Sequence, residues 1–197
     1  CDRLEIDIWN VIEAARTKPF GFMPFYPGPG LGGHCIPVDP IYLSWKAKTY
    51  GFYSKFIEFA QEVNKNMPNY VVRKITHALN IHKKNINGSK ILLLGVAYKE
   101  NVGDVRESPA LDIIEILYRQ GAEVIYNDPY VPQIKIGERK WESLSLNENL
   151  LSQVDCVVIT TAHASYDYKW IVENAKVVVD ARNATKNLSN KEKIIKI

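Results

Sequence analysis

The segment 25–40 combines residue types that could bind an anion and attack an electrophile. It reads FYPGPGLGGHCIPVDP and places Cys35 at the end of a glycine-rich stretch, after His34. Because glycine has no Cβ, a ligand can approach the peptide N–H groups of such a loop closely, as phosphate and oxyanion sites require. A thiolate is a good nucleophile, and backbone dipoles near a helix start favour that form. The segment is therefore a candidate covalent site, with a buried, unreactive Cys35 in a tight turn as the alternative.

The same segment contains a literal G-x-G-x-x-G pattern formed by Gly28, Gly30 and Gly33. In a dinucleotide-binding fold this fingerprint follows a strand, opens a helix and precedes an acidic residue by about 20 positions. Here prolines flank the glycines and no acid lies at positions 53–55. We therefore do not interpret this loop as an NAD site.

Helices are predicted to position the loop. Apolar residues at spacings of three and four predict helices over three stretches: Leu4–Ala15, Ile41 to about Gly51, and Ser54–Lys83. Asp39 suits the N-cap of the second helix and Pro40 its first position. Pro68 interrupts the third pattern, so a kink or a new helix is expected there. Trp9, Trp45 and Tyr118 lie on helical stripes and are expected in the core.

After a junction at residues 86–90 the pattern changes to alternating strands and helices. Short runs rich in β-branched residues predict strands over 90–98, 122–128, 155–161 and 176–182. Helices are predicted between them over Pro109–Arg119, Asn147–Gln153 and Tyr168–Asn174. This alternation is typical of βαβ units. The predicted fold class is α/β, with a helical region at 1–87 followed by a parallel-sheet domain at 88–197.

The connection after the first strand is a second candidate site. Ser108 suits an N-cap and Pro109 a first helical turn, and a helix N-terminus at the end of a parallel strand favours anions. Lys99 and Arg106 flank it, and both suit phosphates. The alternative is an ordinary connection with solvated basic residues. His163 follows a later strand end and is interpreted as structural.

Composition excludes several classes of protein. Hydrophobic residues make up 46% and charged residues 24% of the chain, as in ordinary folded proteins. The net charge of +3 is spread too evenly for a nucleic-acid surface, and no apolar run reaches the roughly 18 residues of a membrane span. The three cysteines form neither a disulfide framework nor a CxxC zinc site. We expect no metal and a reducing, cytoplasmic location.

Several blocks resemble the UDP-glucose/GDP-mannose dehydrogenase family. LGGHCIPVDPIYL (31–43) looks like its catalytic loop, and TKPFGFMPFYPGPG (17–30) is most similar to the bacterial branch that acts on UDP-N-acetylglucosamine. GVAYKENVGDVRESPALDII (95–114) and VVVDARN (177–183) follow in the order that the family shows. The resemblance runs over essentially the whole chain.

The resemblance implies NAD-dependent oxidation of the C6 alcohol of a UDP-sugar to a carboxylate. Cys35 matches the family's nucleophile, which forms a thiohemiacetal and then a thioester. Asp39 matches an aspartate that helps to position or activate water. The positions that match substrate contacts are Tyr26, Gly28, Gly30, Leu31, Gly32, Tyr98, Lys99 and Arg182, while Arg106 matches an arginine that reaches toward the cofactor.

The resemblance also implies an assembly. The 88–197 domain matches a degenerate Rossmann-like unit that holds UDP, and the helices at Leu4–Ala15 and Ser54–Lys83 match a homodimer interface. The apolar stripes of these helices agree equally with packing in the core of the single chain. The family's NAD-binding domain precedes these segments, so the chain is expected to be a fragment with little activity alone. The product would serve polysaccharide biosynthesis.

Two other functions stay open. The chain could be a non-catalytic UDP-sugar-binding module, although such a module has little use for a reactive thiol at Cys35. It could also be a cysteine hydrolase or transferase, which needs a general-base histidine aimed at Cys35. The sequence identifies no such histidine.

Overall fold

A computed structural model describes residues 1–189 and 191–197. The helices are α1 (Ile8–Arg16), α2 (Cys35–Lys48), α3 (Lys55–Ile81), α4 (Pro109–Arg119), α5 (Glu148–Gln153) and α6 (Tyr168–Asn174), with 3-10 turns at Asp2–Leu4 and Lys191–Lys193. The strands are β1 (Lys90–Leu94), β2 (Glu123–Asn127), β3 (Gln133–Ile136), β4 (Arg139–Glu142), β5 (Cys156–Ile159), β6 (Val178–Asp180) and β7 (Ile194–Lys196).

Five strands form one parallel sheet in the order β2-β1-β5-β6-β7. This confirms the predicted α/β class, with helices first and a parallel sheet after them. The sequence analysis missed β7 and the antiparallel hairpin of β3 and β4, which are short and rich in charged residues. Such strands lack the continuous apolar pattern that marks a buried strand.

Both faces of the sheet are covered by helices. Side chains alternate along each strand, so each strand contributes residues to the cores on both faces. Ile91 and Leu93 of β1 belong to the apolar cluster that includes residues of α3 and α4. Leu92 and Leu94 belong to a second cluster with residues of α5 and α6. The second half of α3 buries Val71, Val72, Ile75, Ala78 and Leu79 in the first cluster. The long helix therefore fixes the N-terminal third of the chain to the sheet.

The first two helices begin at different residues from those predicted. Helix α1 starts at Ile8, because the Asp7 carboxylate caps it by accepting from the Trp9 amide at 2.8 Å. Helix α2 starts at Cys35, so the predictions that Asp39 is its N-cap and Pro40 its first residue are wrong, and both residues lie inside the helix. The first turn of a helix needs no amide donors, and Pro37 is therefore tolerated there. Sequence patterning alone gives prolines too much weight as breaks.

Helix α3 runs unbroken from Lys55 through Pro68 to Ile81, so no new helix starts at the proline. Pro68 has no N–H to donate to the Asn64 carbonyl four residues earlier. The glycine loop crosses at this place: a Cβ on Gly30 would lie 3.5 Å from the Asn64 carbonyl oxygen. Pro68 itself is buried, so its packing is part of what holds the helix together.

The predicted strands are longer than the observed ones, because each prediction included part of the following loop. Strand β1 ends at Leu94, where Gly95 takes a φ of +80°. A Cβ on Gly95 would lie 2.5 Å from the Thr161 Cβ, so the chain turns here in space that only glycine fits. The segment 95–98 is therefore loop, at the carboxyl edge of the sheet where ligands bind in such folds.

Two aromatic side chains that were predicted to lie in the core are exposed. Trp9 is buried, as predicted, but Trp45 is 64% exposed and Tyr118 is 38% exposed. Among the helices of the described residues, none is long and apolar enough to cross a membrane.

Candidate active site

Cys35 is exposed and is the first residue of α2. Amide groups in the first turn of a helix lack intrahelical acceptors, and the helix dipole there favours negative charge. His34 precedes the helix without capping it through its side chain. The alternative of a buried Cys35 in a tight turn is therefore excluded.

Asp39 lies inside α2, four residues after Cys35, and is exposed. Residues four apart on a helix share one face. The two predicted catalytic residues therefore lie on the same face of one helix. The prediction had placed Cys35 in the preceding loop and Asp39 at the N-cap.

The glycines before Cys35 allow a second loop to approach the backbone. A Cβ on Gly32 would lie 2.6 Å from the Glu107 carbonyl oxygen and 2.7 Å from the Tyr98 Cβ. A Cβ on Gly33 would lie 3.0 Å from the Tyr98 Cε2. The ring of Tyr98 therefore packs against the peptides that lead into Cys35, so the structure brings the two candidate sites together.

The earlier part of the loop meets other predicted site residues. A Cβ on Gly28 would lie 2.6 Å from Arg182 Nη1, so the guanidinium lies directly against this glycine. Gly30, with φ +136°, packs against the Pro109 ring, where a Cβ would approach Cγ to 3.0 Å. A residue that follows β6 and the first residue of α4 thus both contact the glycine loop.

Asn64 holds the loop, and the sequence analysis missed it. Its Oδ1 accepts from the Leu31 amide at 2.7 Å, while the Leu31 side chain is exposed. The signal was weak, because an asparagine on a polar stretch of helix normally faces solvent. Only the path of the loop over α3 gives this residue a role.

Tyr26 is directed to α1. Its ring stacks on Trp9 with centroids 5.9 Å apart, and its hydroxyl donates to Glu13 Oε1 at 2.9 Å. Arg16 Nη1 donates to the same hydroxyl at 3.3 Å. The Tyr26 side chain, a predicted substrate contact, therefore binds residues of α1 in this structure.

Lys99 and Arg106 differ in their surroundings. Lys99 is exposed at the tip of the loop after β1. Arg106 is also exposed but pairs with Asp104, with Nη2 and Oδ2 2.7 Å apart. The Arg106 hydrogen bonds hold the pKa of Asp104 below its ordinary value. Asp104 in turn raises the pKa of Arg106, and nearby Tyr98 and Cys35 act in the same direction. Arg106 is thus a cation within electrostatic reach of Cys35.

Arg182 is positioned by a buried aspartate that the sequence analysis also missed. Asp180, at the end of β6, has no exposed surface and accepts from the amides of Arg182 at 2.9 Å and Thr185 at 2.8 Å. The signal was available: a single acid ends an otherwise apolar strand. Its function here is to shape the turn that carries Arg182.

Two domain models of one family match the sequence. The model described as the central domain of the UDP-glucose/GDP-mannose dehydrogenase family matches residues 1–66. The model described as its UDP binding domain matches residues 92–187.

Known proteins show the same similarity. A UDP-N-acetyl-D-mannosamine dehydrogenase of Methanococcus maripaludis is 36% identical over 166 residues, covering 84% of this chain and 36% of the relative. A UDP-N-acetyl-D-glucosamine 6-dehydrogenase of Salmonella typhi is 34% identical over 165 residues, covering 84% of this chain and 38% of the relative. The solved UDP-D-ManNAc dehydrogenase of Pyrococcus horikoshii is 30% identical, with a TM-score of 0.83 over 99% of this chain and 45% of that one. The chain therefore spans less than half the length of these relatives.

Proposed function

The chain belongs to the UDP-glucose/GDP-mannose dehydrogenase family, and from this premise we propose that it supplies the catalytic cysteine and the UDP-binding part of an NAD-dependent UDP-sugar 6-dehydrogenase. One observation carries the proposal. The loop after β1, which bears Tyr98 and Lys99, packs against the glycines that lead into Cys35. A substrate bound to that loop through its nucleotide can therefore present its sugar to the thiol.

In this proposal Cys35 is the nucleophile. NAD, when bound, accepts the hydride in each of the two oxidations that turn an alcohol into a carboxylate. Between these, the Cys35 Sγ adds to the aldehyde carbon and its S–H proton passes to solvent or to the new oxygen, giving a thiohemiacetal. After the second oxidation the carbon is held as a thioester. Attack by water breaks the C–S bond and returns the thiol, and Asp39 on the same helix face orients that water.

The residues described here fit NAD only in part. Arg106 presents an exposed cation near Cys35, as a group that faces a phosphate would. Among residues 1–189 and 191–197, no glycine-rich turn both follows a strand and opens a helix in the way the dinucleotide fingerprint requires. We propose that the cofactor is bound mainly by residues outside this chain and that the 197 residues alone are inactive.

The proposed substrate is a UDP-sugar, with UDP-N-acetylglucosamine as the first to test. Lys99 and Arg182 provide positive charge for the diphosphate, and the loop with Gly28, Gly30 and Gly32 lies directly against Arg182 and Tyr98. The division into a central region, 1–87, and a UDP-binding domain, 88–197, belongs to the same proposal. So do a cytoplasmic location and a place in polysaccharide biosynthesis.

We also propose a homodimer formed by the helical region. Its large apolar side chains are unusually exposed: Phe56 is 91% exposed, and Phe59 and Trp45 are 65% and 64% exposed. These residues lie on α2 and the first half of α3, while the second half of α3 is buried against the sheet. A surface of this kind is typical of a face that another protein covers.

The first test is a calorimetric titration of the chain with UDP-N-acetylglucosamine, UDP and NAD. Binding of both uridine ligands without NAD supports a working substrate half. Absence of uridine binding contradicts the assignment of Lys99 and the glycine loop. The second test uses an enzyme that contains this chain together with an NAD-binding domain. There Cys35→Ser should abolish carboxylate formation, and a variant with normal turnover would contradict the covalent mechanism through Cys35.

A further inference from the structure

A fully buried histidine joins the two ends of the loop after β1. His163 has no exposed surface and lies just after β5. Its Nδ1 accepts from the Asn101 amide at 2.9 Å, and its Nε2 lies 3.1 Å from Asp128 Oδ2. Because Nδ1 accepts a backbone N–H, the proton of the neutral ring is on Nε2 and is donated to Asp128.

Asp128 fastens the beginning of the same loop. Its Oδ2 accepts from the Val96 amide at 2.7 Å and the Ala97 amide at 3.1 Å, and its Oδ1 accepts from the Tyr130 amide at 2.8 Å. Burial alone would raise the pKa of Asp128, but the hydrogen bonds from His163 and the backbone outweigh it and hold the pKa below its ordinary value. The carboxylate therefore remains charged and keeps all its acceptor sites.

The loop is thus held at both ends, with Tyr98 and Lys99 between. At the first end Asp128 binds the amides of Val96 and Ala97, and Thr161 Oγ1 donates to the Ala97 carbonyl at 2.6 Å. At the second end His163 binds the Asn101 amide, and the Asn101 side chain accepts from the Ala164 amide at 2.9 Å. A loop tied in this way presents the same side chains in a fixed arrangement before a ligand arrives, which reduces the entropy lost on binding.

The position of His163 is itself well fixed. The rings of Tyr130 and Tyr166 pack on it with centroids 5.0 and 5.7 Å away, and the Tyr168 hydroxyl donates to its carbonyl at 2.9 Å. The imidazole therefore has no room to turn away from Asp128 and Asn101. One ring nitrogen thus binds the loop directly through Asn101, and the other binds it indirectly through Asp128, which holds its first amides.

We propose that His163 is a positioning residue of the UDP-sugar site, which acts with Asp128 to hold the loop 95–101 so that Tyr98 and Lys99 face the nucleotide. The inference rests on the proposed function, because it presupposes that this loop binds UDP. It adds a residue that touches neither the substrate nor Cys35. Loss of His163 should weaken UDP binding through the loop and leave the chemistry at the thiol intact.

Three variants separate the two hydrogen bonds. His163→Asn can place an oxygen near the Nδ1 position and still accept from Asn101, whereas His163→Gln can place an amide donor near the Nε2 position for Asp128. His163→Leu removes both bonds. Tyr166→Phe is the matched control, because it removes the hydrogen bond from its hydroxyl to the Asn127 carbonyl at 2.9 Å and keeps both hydrogen bonds of His163 and the ring that packs on it.

The experiment measures calorimetric UDP affinity and amide hydrogen exchange of Val96, Ala97 and Asn101 in each folded variant of the chain. We expect His163→Leu to bind UDP at least about tenfold more weakly, a change equivalent to one lost hydrogen bond. His163→Asn should keep the Asn101 amide protected and recover most of the affinity, while Tyr166→Phe should bind as the wild type does. Should His163→Leu fail to fold, the contrast between His163→Asn and His163→Gln provides the same test.

The outcomes distinguish the two proposals. If the wild-type chain binds no UDP, the proposed function of this loop fails and the inference fails with it. If the wild type binds UDP and the His163 variants bind equally well, the inference alone is overturned. Equal weakening in Tyr166→Phe would also overturn it, because the effect would then be one of general stability.

Discussion

The amide of Gly33 donates to the carbonyl oxygen of Arg106 at 2.8 Å. This bond joins the residue two positions before Cys35 to the loop that precedes α4, across a large separation in sequence. The start of α2 and the loop after β1 are therefore not independent units. A displacement of either loop should disturb both the nucleotide contacts and the placement of the thiol.

The first prediction uses this dependence. Gly33→Ala adds a Cβ about 3.0 Å from the Tyr98 ring, so the ring or the loop must move. Gly51→Ala is the matched control, because Gly51 also has a positive φ, +75°, and no atom within 4 Å of an added Cβ. We expect both substitutions to lower the free energy of unfolding by ~1 kcal/mol through backbone strain. Only Gly33→Ala should weaken UDP binding, by about tenfold or more in calorimetry. Equal UDP affinity in the two variants would show that the contact between Gly33 and Tyr98 does not support UDP binding.

A second prediction concerns Asn64, which holds the loop through its side chain. Asn64→Ala leaves the Leu31 amide without its acceptor and should weaken binding of UDP-N-acetylglucosamine by about threefold to tenfold. Asn64→Asp keeps an oxygen acceptor and should restore most of the affinity. Asn66→Ala, at an exposed position on the same helix, serves as the control. If Asn64→Ala and Asn66→Ala bind UDP-N-acetylglucosamine equally well, the hydrogen bond between Leu31 and Asn64 does not contribute to binding.

Much of this architecture was predictable from local sequence, and the exceptions have a common cause. The strands β1, β2, β5 and β6 carry apolar runs, and their existence follows from burial on both faces. The start of α2 at Cys35 was not predictable, because Pro37 and Pro40 both indicate a loop in a sequence. Pro37 lies in the first turn, which needs no amide donors, but Pro40 lies inside the helix and lacks the amide that would donate to the Ile36 carbonyl.

The supporting residues of the site were harder to predict than the site itself. Cys35, Lys99 and Arg182 stand in patterns that indicate chemistry. Asn64 and His163 have roles only because residues distant in sequence reach them, through the amides of Leu31 and Asn101. No spacing along the chain records such a contact. Tertiary packing therefore decided which polar residues position the site.

A third prediction gives the sign of a pH effect. Burial alone would raise the pKa of Asp155, but hydrogen bonds from Lys84, the Lys90 amide and Lys176 outweigh it and hold the pKa below its ordinary value. A carboxyl group with a lowered folded-state pKa stabilises the fold above its unfolded pKa of about 3.9 and loses that contribution as the pH falls through the folded value.

Asp155→Asn keeps an acceptor for the Lys90 amide and removes the charge. We expect it to lower the free energy of unfolding by about 1 kcal/mol at pH 7, since the two lysines are partly exposed. The difference from the wild type should shrink as the pH falls below the unfolded pKa and through the lower folded-state pKa of Asp155. Urea unfolding across this pH range measures it, with Glu173→Gln at an exposed ion pair as the control. A difference that grows on acidification would contradict the assignment.

A fourth prediction addresses the homodimer. Phe56→Ser removes an aromatic side chain that is 91% exposed and contributes almost nothing to the core of the single chain. We expect it to shift sedimentation velocity toward the monomer without lowering the stability of the monomer. Tyr118→Ser, at an exposed aromatic residue on α4, should leave the sedimentation of the dimer unchanged. A wild-type chain that sediments as a monomer at all concentrations would contradict the proposed homodimer.

The fifth prediction tests the reactivity of the thiol and its relation to the sugar. In a Cys1→Ser background the chain has two remaining thiols, and we expect iodoacetamide at pH 8 to label Cys35 and spare Cys156. Burial raises the pKa of Cys156 to about 12, so its thiolate is scarce and also inaccessible. UDP-N-acetylglucosamine should slow the labelling of Cys35, followed by mass spectrometry, more than UDP does at equal occupancy, because the proposed site places the sugar over Cys35. Equal protection by the two ligands would mean that the sugar lies elsewhere, and it would favour a binding module over a dehydrogenase.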